Sequence, residues 1–330
     1  MSRKWFIFLA LCVVAGIVAY RLAGWNFNWK LFFSTLRNIH PGWLVASIVA
    51  TILTFVFRAL RWQVLIGPLK HIEIGSLFTT TVMGFTSIFL LGRAGEVVRP
   101  IWLARREKIS VSASFATIIV ERFIDSAMLI GLFAIALVTV SVSAESAGTL
   151  ASMKSAAWYI VAVSAGAIVF LFFFRTHVDF VVRFIPFPKI AKQVEHFGHG
   201  LSFLQDGRRF AFVLFHSVVL WILIAVQAWM SLRAVNISMP LAATTLVMVG
   251  AAIGSVAQIP GIGGGFQGGF VFSMTTFFHF PAETALSAAL IAFYSANLST
   301  AAITIPCMLK QGLTFKQIRN TIRNPQPEAP

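Results

Sequence analysis

The sequence predicts an all-α, polytopic membrane protein with about six full transmembrane helices and two re-entrant helical hairpins, arranged as inverted half-repeats. Three observations lead to that fold class. The chain is 58% hydrophobic and 11% charged, with a mean hydropathy of +0.84, whereas ordinary soluble domains carry about 25% charged residues. Apolar stretches long enough to cross a bilayer recur along the chain. Two further apolar regions are broken by glycine, one around charges and one around Pro260.

The segments near 5–20, 42–60, 111–138, 157–174, 210–232 and 284–308 read as spans, because a helix needs about 20 residues to cross the hydrocarbon core. The first follows Arg3 and Lys4 and has no clean small-x-small cleavage site, so an uncleaved first span is expected. Residues 75–104 are interrupted by Gly92-Arg93-Ala94-Gly95-Glu96-Val97-Val98-Arg99. Residues 241–282 contain no Lys, Arg, Asp or Glu but are broken by Pro260-Gly261-Ile262-Gly263-Gly264-Gly265. Glycine and proline at that density stop a helix. The polar stretch 175–209 is too short to bury a core of its own, so a single membrane domain over 1–330 is expected, with half-repeats 1–140 and 155–310 and a tail at 311–330.

Basic residues orient these segments. Arg175, Arg183, Lys189, Lys192, Arg208 and Arg209 place 175–209 in the cytoplasm, and Lys310, Lys316, Arg319 and Arg323 place the C-terminal tail there. Residues 139–156 hold only Glu145 and Lys154 and suit the outside. Arg105, Arg106 and Lys108 agree with a cytoplasmic N-terminus only if 75–104 enters and returns on one side. The same parity makes 241–282 a hairpin, although two short crossings would satisfy it equally. Arg21, Lys30 and Arg37 fall on the external side and disagree with this orientation. Inverted repeats with broken helices are an architecture of secondary transporters; the plainer reading is that the glycines permit close helix packing.

The net charge of +15 comes from 26 basic and 11 acidic residues. With the basic residues mostly in short loops, it reads as topology signal and anionic-lipid contact; no nucleic-acid partner is expected. Cys12 and Cys307 lie in apolar sequence without CxxC spacing, which predicts neither disulfide nor zinc site. Glu195, His196 and His199 have metal-ligand spacing but no third ligand motif, and read as a solvated helix face. No metal or cofactor is expected.

Six charges stand in apolar surroundings: Arg93, Glu96, Arg99, Glu121, Arg122 and Asp125. An ionisable group at membrane depth costs at least a few kcal/mol unless paired or wetted, and marks a functional site by default. Glu121 and Asp125 share one helix face, with Arg122 three residues before Asp125. Two readings stay open. In one, Arg93, Arg99 and Arg122 grip a phosphate while the carboxylates orient them or accept protons. In the other, three acids and three arginines form a self-neutralised structural network. The hairpin tips, Gly92 and Gly95 against Gln258, Pro260, Gly261, Gly264 and Gln267, would add backbone N–H groups and amide side chains.

Gly92-Arg93-x-Gly95-Glu96-x-x-Arg99, Leu103-x-Arg105-Arg106, Glu121-Arg122-x-x-Asp125 and Pro260-Gly261-x-Gly263-Gly264 together resemble the flippase-like transmembrane domain of lysylphosphatidylglycerol synthases, in a stand-alone form, over nearly the whole chain. The resemblance implies a cytoplasmic-membrane domain that translocates a lipid. In the synthases, a separate domain attaches the amino acid; this sequence carries no counterpart of it, so translocation without lysine transfer is the expectation. Two departures stand out. Gln267 occupies the place of a glutamate usual in the family, and Tyr294-Ser295-Ala296-Asn297 the place of a frequent arginine.

The expected function is flipping of an anionic or phosphate-bearing lipid, such as an aminoacyl-phospholipid or a polyprenyl-phosphate-linked lipid. Its partners are membrane lipids and a separate lipid-modifying enzyme. The alternatives are a membrane-embedded lipid-modifying enzyme, against which the scarcity of acids in the external loops counts, and an accessory subunit of one.

Overall fold

The computed structural model describes residues 27–140 and 147–310; the expected first span, Cys12 and the tail 311–330 lie outside them. The described chain is helical apart from one short β-turn. In order it forms α1 (Trp29–Arg37), α2 (Pro41–Ile66), α3 (Ile74–Leu91), a 3₁₀ turn (Gly92–Val97), α4 (Val98–Glu107), α5 (Val111–Thr139), α6 (Ala147–Thr176), α7 (Val178–Arg183), α8 (Pro188–Gly200), a 3₁₀ turn (Ser202–Gln205), α9 (Gly207–Ala234), α10 (Leu241–Gly254), the strands β1 (Gln258–Ile259) and β2 (Gly263–Gly264), α11 (Gly265–Phe278) and α12 (Ala282–Lys310). Helices α2, α3, α9 and α12 are long and apolar enough to cross a membrane. Helices α5 and α6, of 29 and 30 residues, occupy the other two described regions expected to span.

Local chemistry sets several helix ends. The Asn28 side chain accepts from Leu31 N at α1, and Asp206 accepts from Arg208 N and Arg209 N at α9. Pro41 and Pro188 occupy first-turn positions, where a missing N–H removes no helical bond. Gly92 ends α3 with φ 66 and ψ −149, a conformation open almost only to glycine.

Both interrupted regions fold back on themselves. In the first, α4 returns along α3, so that a Cβ on Gly84 would lie 2.8 Å from Arg99 Cβ. In the second, α10 and α11 pack through Gly250 and Gly254 on one helix and Gly265 and Gly269 on the other, where an added methyl would overlap the facing backbone. The small-residue packing reading therefore holds for these four glycines, while Gly261, Gly263 and Gly264, all at positive φ, make the turn. At 14 residues each, α10 and α11 rise about 21 Å, short of the ~30 Å hydrocarbon core. The first arm of the other hairpin, α3, has 18 residues and is longer than a half-crossing requires.

The elements recur in two sets, α1–α5 and α8–α12: a short helix, a long helix, a hairpin and another long helix. The long helices α2 and α9 pack side by side and antiparallel. Trp43 at the start of α2 meets Trp229 near the end of α9 with ring centroids 5.4 Å apart, while Arg61 near the end of α2 reaches Ser217 in the first half of α9. Contacts between the sets are reciprocal: α3 lies on α12 and α10 on α5, α2 on α12 and α9 on α5, α1 on α12 and α8 on α5. One apolar core gathers around Trp62, Leu65, Leu103 and Ile124 of the first set and takes in Phe203 and Val213 from the second; another lies around Val247, Phe270, Met274 and Ala288. The two hairpin tips touch: Gly261 N donates to Phe89 O at 2.7 Å, and Arg93 Nη2 donates to Ser255 O at 3.0 Å.

Candidate functional site

Asp125 is the central residue of α5 (Val111–Thr139), and Glu121 lies one turn before it on the same face. That face is covered by α2, α4 and α9, each of which brings a polar group into an otherwise apolar core. Arg61 on α2 is fully buried and grips Asp125 with both terminal nitrogens, at 2.7 and 3.3 Å. Its Nη1 also donates to Ser217 Oγ at 3.0 Å, and its Nη2 lies 3.2 Å from Glu121 Oε1. Arg99 on α4 and Arg122 on α5 both donate to Glu121 Oε1 at 2.8 Å. Arg58 is held more loosely, its Nη1 3.9 Å from Asp125 Oδ2 and 4.0 Å from Glu121 Oε1.

Aromatic side chains wall the cluster. The Arg99 guanidinium stacks 3.9 Å over the Trp62 ring, and Arg58 sits 4.6 Å over Phe85. Such stacking is electrostatically favourable and strengthens where water is excluded. Trp221 Nε1 donates to Asp125 Oδ1 at 3.1 Å, and Trp62 Nε1 to Thr117 Oγ1 at 3.1 Å. The Arg122 side chain is 43% exposed while that of Glu121 is fully buried, so the cluster opens to the surroundings on the Arg122 side.

The charges do not balance. Four arginines surround two carboxylates, leaving two positive charges over. The other described acids lie elsewhere: for example, Glu107 pairs with Lys70, Asp206 with Arg209, and Glu283 accepts from Asn28 N. Arg58 Nη1, Arg61 Nε, and Arg99 Nε and Nη2 are buried donors, and Glu121 Oε2 a buried acceptor, without a hydrogen-bond partner among the described residues. The count of three acids against three arginines does not describe this cluster: Arg58 and Arg61 add the surplus charge, and two of the six expected members lie elsewhere.

Those two are Arg93 and Glu96. They pair with each other on the exposed 3₁₀ turn at the first hairpin tip, where Arg93 also reaches Ser255 O. The turn reverses the chain, and Arg99 in the first turn of α4 lies over Trp62 and bonds Glu121, so Arg93 and Arg99 hold different partners in this structure. Sequence reasoning missed Arg58, Arg61, Ser217 and Trp221. Two arginines three residues apart at the end of a span, Arg58-x-x-Arg61, were the signal for the first pair. Ser217 and Trp221 gave none, since only tertiary packing brings α9 to Asp125.

The remaining tip residues lie at the two hairpin turns. Gly92 lies against Pro260, and Gly95 is stacked on the Ser87–Ile88 backbone. Gln258 pairs with Gly264 across the two-stranded turn. Gln267 is buried, its Nε2 donating to Ile262 O at 2.9 Å and its Oε1 without a partner among the described residues. Asn297 is bonded to Phe293 O at 2.8 Å within its own helix. The second half therefore has amides and hydroxyls where the first half has ion pairs.

A model of the lysylphosphatidylglycerol synthase TM region matches residues 7–302. The chain belongs to this family. It is accordingly a membrane-embedded, multi-pass helical protein with a lipid-related role. No curated protein and no solved structure matches it. The cluster built on Glu121-Arg122-x-x-Asp125 is its one concentrated group of buried charge among the described residues. Among those residues no group of three or more His, Cys, Asp or Glu is placed to hold a metal; His199 lies 3.7 Å from Glu195 on α8. A separate hollow of about 560 Å³, lined by Phe115, Phe174, Ile190 and Phe197 with Ser112 and Gln193, carries no charged side chain and lies apart from the arginines.

Proposed function

We propose that this protein is a flippase: it moves a lipid with a phosphate-bearing headgroup across the cytoplasmic membrane, with both termini in the cytoplasm. The observation that carries the reading is the arginine cluster at mid-length of α5, with buried donors in excess of its carboxylates. With about 21 Å of α5 on either side of Asp125, such a cluster sits deep in the bilayer, where excess positive charge is retained only for a purpose. Arginine forks match phosphate oxygens bidentately. Arg58, Arg99 and Arg122 would hold the headgroup, and Glu121 and Asp125 would hold the arginines. The tail would stay in lipid beyond the exposed side of Arg122.

The paired hairpins and the antiparallel packing of α2 on α9 support an inverted-repeat transporter with re-entrant hairpins whose tips meet inside the membrane. On this reading the protein changes which leaflet a lipid occupies without making or breaking covalent bonds, and a separate enzyme supplies the lipid. The test is transport by purified protein in sealed vesicles containing tail-labelled anionic phospholipids or polyprenyl phosphates, followed with a membrane-impermeant quencher. One lipid class should become accessible faster than in protein-free vesicles, and Arg122→Ala should abolish the acceleration in a folded protein. Unchanged transport in Arg122→Ala would sink the role given to that residue.

A further inference from the structure

Charge accounting within the cluster narrows the headgroup. Arg58, Arg61, Arg99 and Arg122 against Glu121 and Asp125 leave a surplus of two positive charges. Of the chain's eleven acids, Glu145 and Glu328 lie outside the described residues, and no other described acid is ion-paired with the cluster. A buried charge left unpaired is expensive, and neutrality inside low-dielectric surroundings is strongly favoured. Arg58 Nη1, Arg61 Nε, Arg99 Nε and Arg99 Nη2, donors without a partner among the described residues, belong to groups gathered around Glu121 Oε1, with the 43% exposed Arg122 on the open side of the cluster.

We infer that the cluster selects a headgroup carrying two negative charges, a phosphate monoester or a pyrophosphate diester, over a singly charged phosphodiester. This rests on the proposed function and specifies its substrate class. A dianion brings the cluster to neutrality; a phosphodiester leaves one charge over. Arg58 is the discriminating residue. It is the arginine without a hydrogen bond to either carboxylate, with its Nη1 3.9 and 4.0 Å from them, so its charge is the one least committed to holding the protein together.

The test compares two lipids with identical acyl chains, phosphatidic acid (monoester) and phosphatidylmethanol (diester). Each competes with a tail-labelled phosphatidic acid for the purified full chain in detergent; inorganic phosphate is the third competitor. Measurements at about pH 8 and about pH 5 bracket the second ionisation of a phosphate monoester near pH 6. At the higher pH, phosphatidic acid should outcompete phosphatidylmethanol at least about tenfold, the effect of one more unit charge a few ångströms from unpaired guanidinium groups. At the lower pH both lipids are monoanions and the ratio should fall toward one. Arg58→Gln removes one surplus charge and should shrink the ratio at the higher pH to within about threefold while phosphatidylmethanol still binds. Equal competition at the higher pH, or a preference that persists at the lower pH, overturns the dianion inference and leaves the phosphate-lipid reading standing. Failure of both lipids to compete, or of the labelled probe to bind, overturns both. Displacement by inorganic phosphate as effective as by phosphatidic acid supports the dianion and overturns the lipid. If Arg58→Gln does not fold, Arg122→Gln on the exposed side and the wild-type pH profile decide the question.

Discussion

Arg58 and Arg61 lie three residues apart on α2, and removing their charges should have very different consequences. Arg61→Met deletes a fully buried guanidinium that makes two bonds to Asp125, one to Ser217 and a 3.2 Å contact with Glu121. Asp125 then keeps Trp221 Nε1 at 3.1 Å and Arg122 at 3.4 Å, while Ser217 Oγ retains only its bond to Val213 O. Removing one partner of a buried ion pair costs about 3–5 kcal/mol. Arg58→Met deletes no hydrogen bond to either carboxylate. It loses the stack on Phe85, worth about 0.5–2 kcal/mol, and the two long ion-pair contacts with Asp125 and Glu121, and relieves repulsion from Arg61 and Arg122. Its net effect should stay within about 1 kcal/mol. The two variants should thus differ by at least about 2 kcal/mol, roughly a thirtyfold difference in the unfolding equilibrium. Denaturant unfolding in one delipidated detergent reads this directly and keeps bound lipid from adding to the apparent stability. Equal destabilisation by the two substitutions, or a neutral Arg61→Met, would refute the division into a structural and a surplus arginine.

Other consequences follow from the same geometry. Glu96→Gln removes a partly exposed pair with Arg93, so stability should change by less than about 1 kcal/mol; a larger loss on unfolding would mean that the tip pair is structural. Gly269→Val would drive a side chain into Gly250 O and should lower stability by at least about 1–3 kcal/mol, the range for overpacking; unchanged unfolding would mean that α10 and α11 are not pressed together. At the start of α9, the backbone N–H of Arg209, followed by that of Arg208 and the Arg209 side chain, holds the Asp206 carboxyl below its usual range. A depressed folded-state pKa gives stability that is present above the unfolded value, about 3.9, and is lost as pH falls through the folded one. Asp206→Asn should remove this acid-side loss in thermal unfolding curves; an unchanged acid slope would dissociate Asp206 from it.

Much of the fold was legible because periodicity and length suffice for membrane helices. The apolar runs and the breaks at Gly92 and Pro260 locate the helices and both fold-backs. Half of the site was legible for a related reason: Glu121, Arg122 and Asp125 stand out against apolar neighbours wherever the chain folds. Arg99 could be grouped with them, but so could Arg93 and Glu96, because sequence spacing does not reveal the 3₁₀ turn that aims them elsewhere. Arg58 and Arg61 were hidden by position. Near the end of an apolar run they look like ordinary membrane-edge cations, and only the continuation of α2 to Ile66 puts them inside. The excess of positive charge, on which the substrate argument depends, could not be read without them.

The most direct test of the central claim is the distance between the headgroup phosphorus and the arginine guanidinium nitrogens. It can be measured by ³¹P–¹⁵N dipolar dephasing on arginine-labelled protein bound to phosphatidic acid in lipid bilayers. The account predicts guanidinium nitrogens within about 4 Å of phosphorus, the reach of charge-assisted hydrogen bonds to its oxygens, with the signal reduced in Arg58→Gln and Arg122→Ala. Dephasing absent from wild type, or unchanged in both variants, would place the phosphate elsewhere and contradict the assignment of the cluster as the headgroup site.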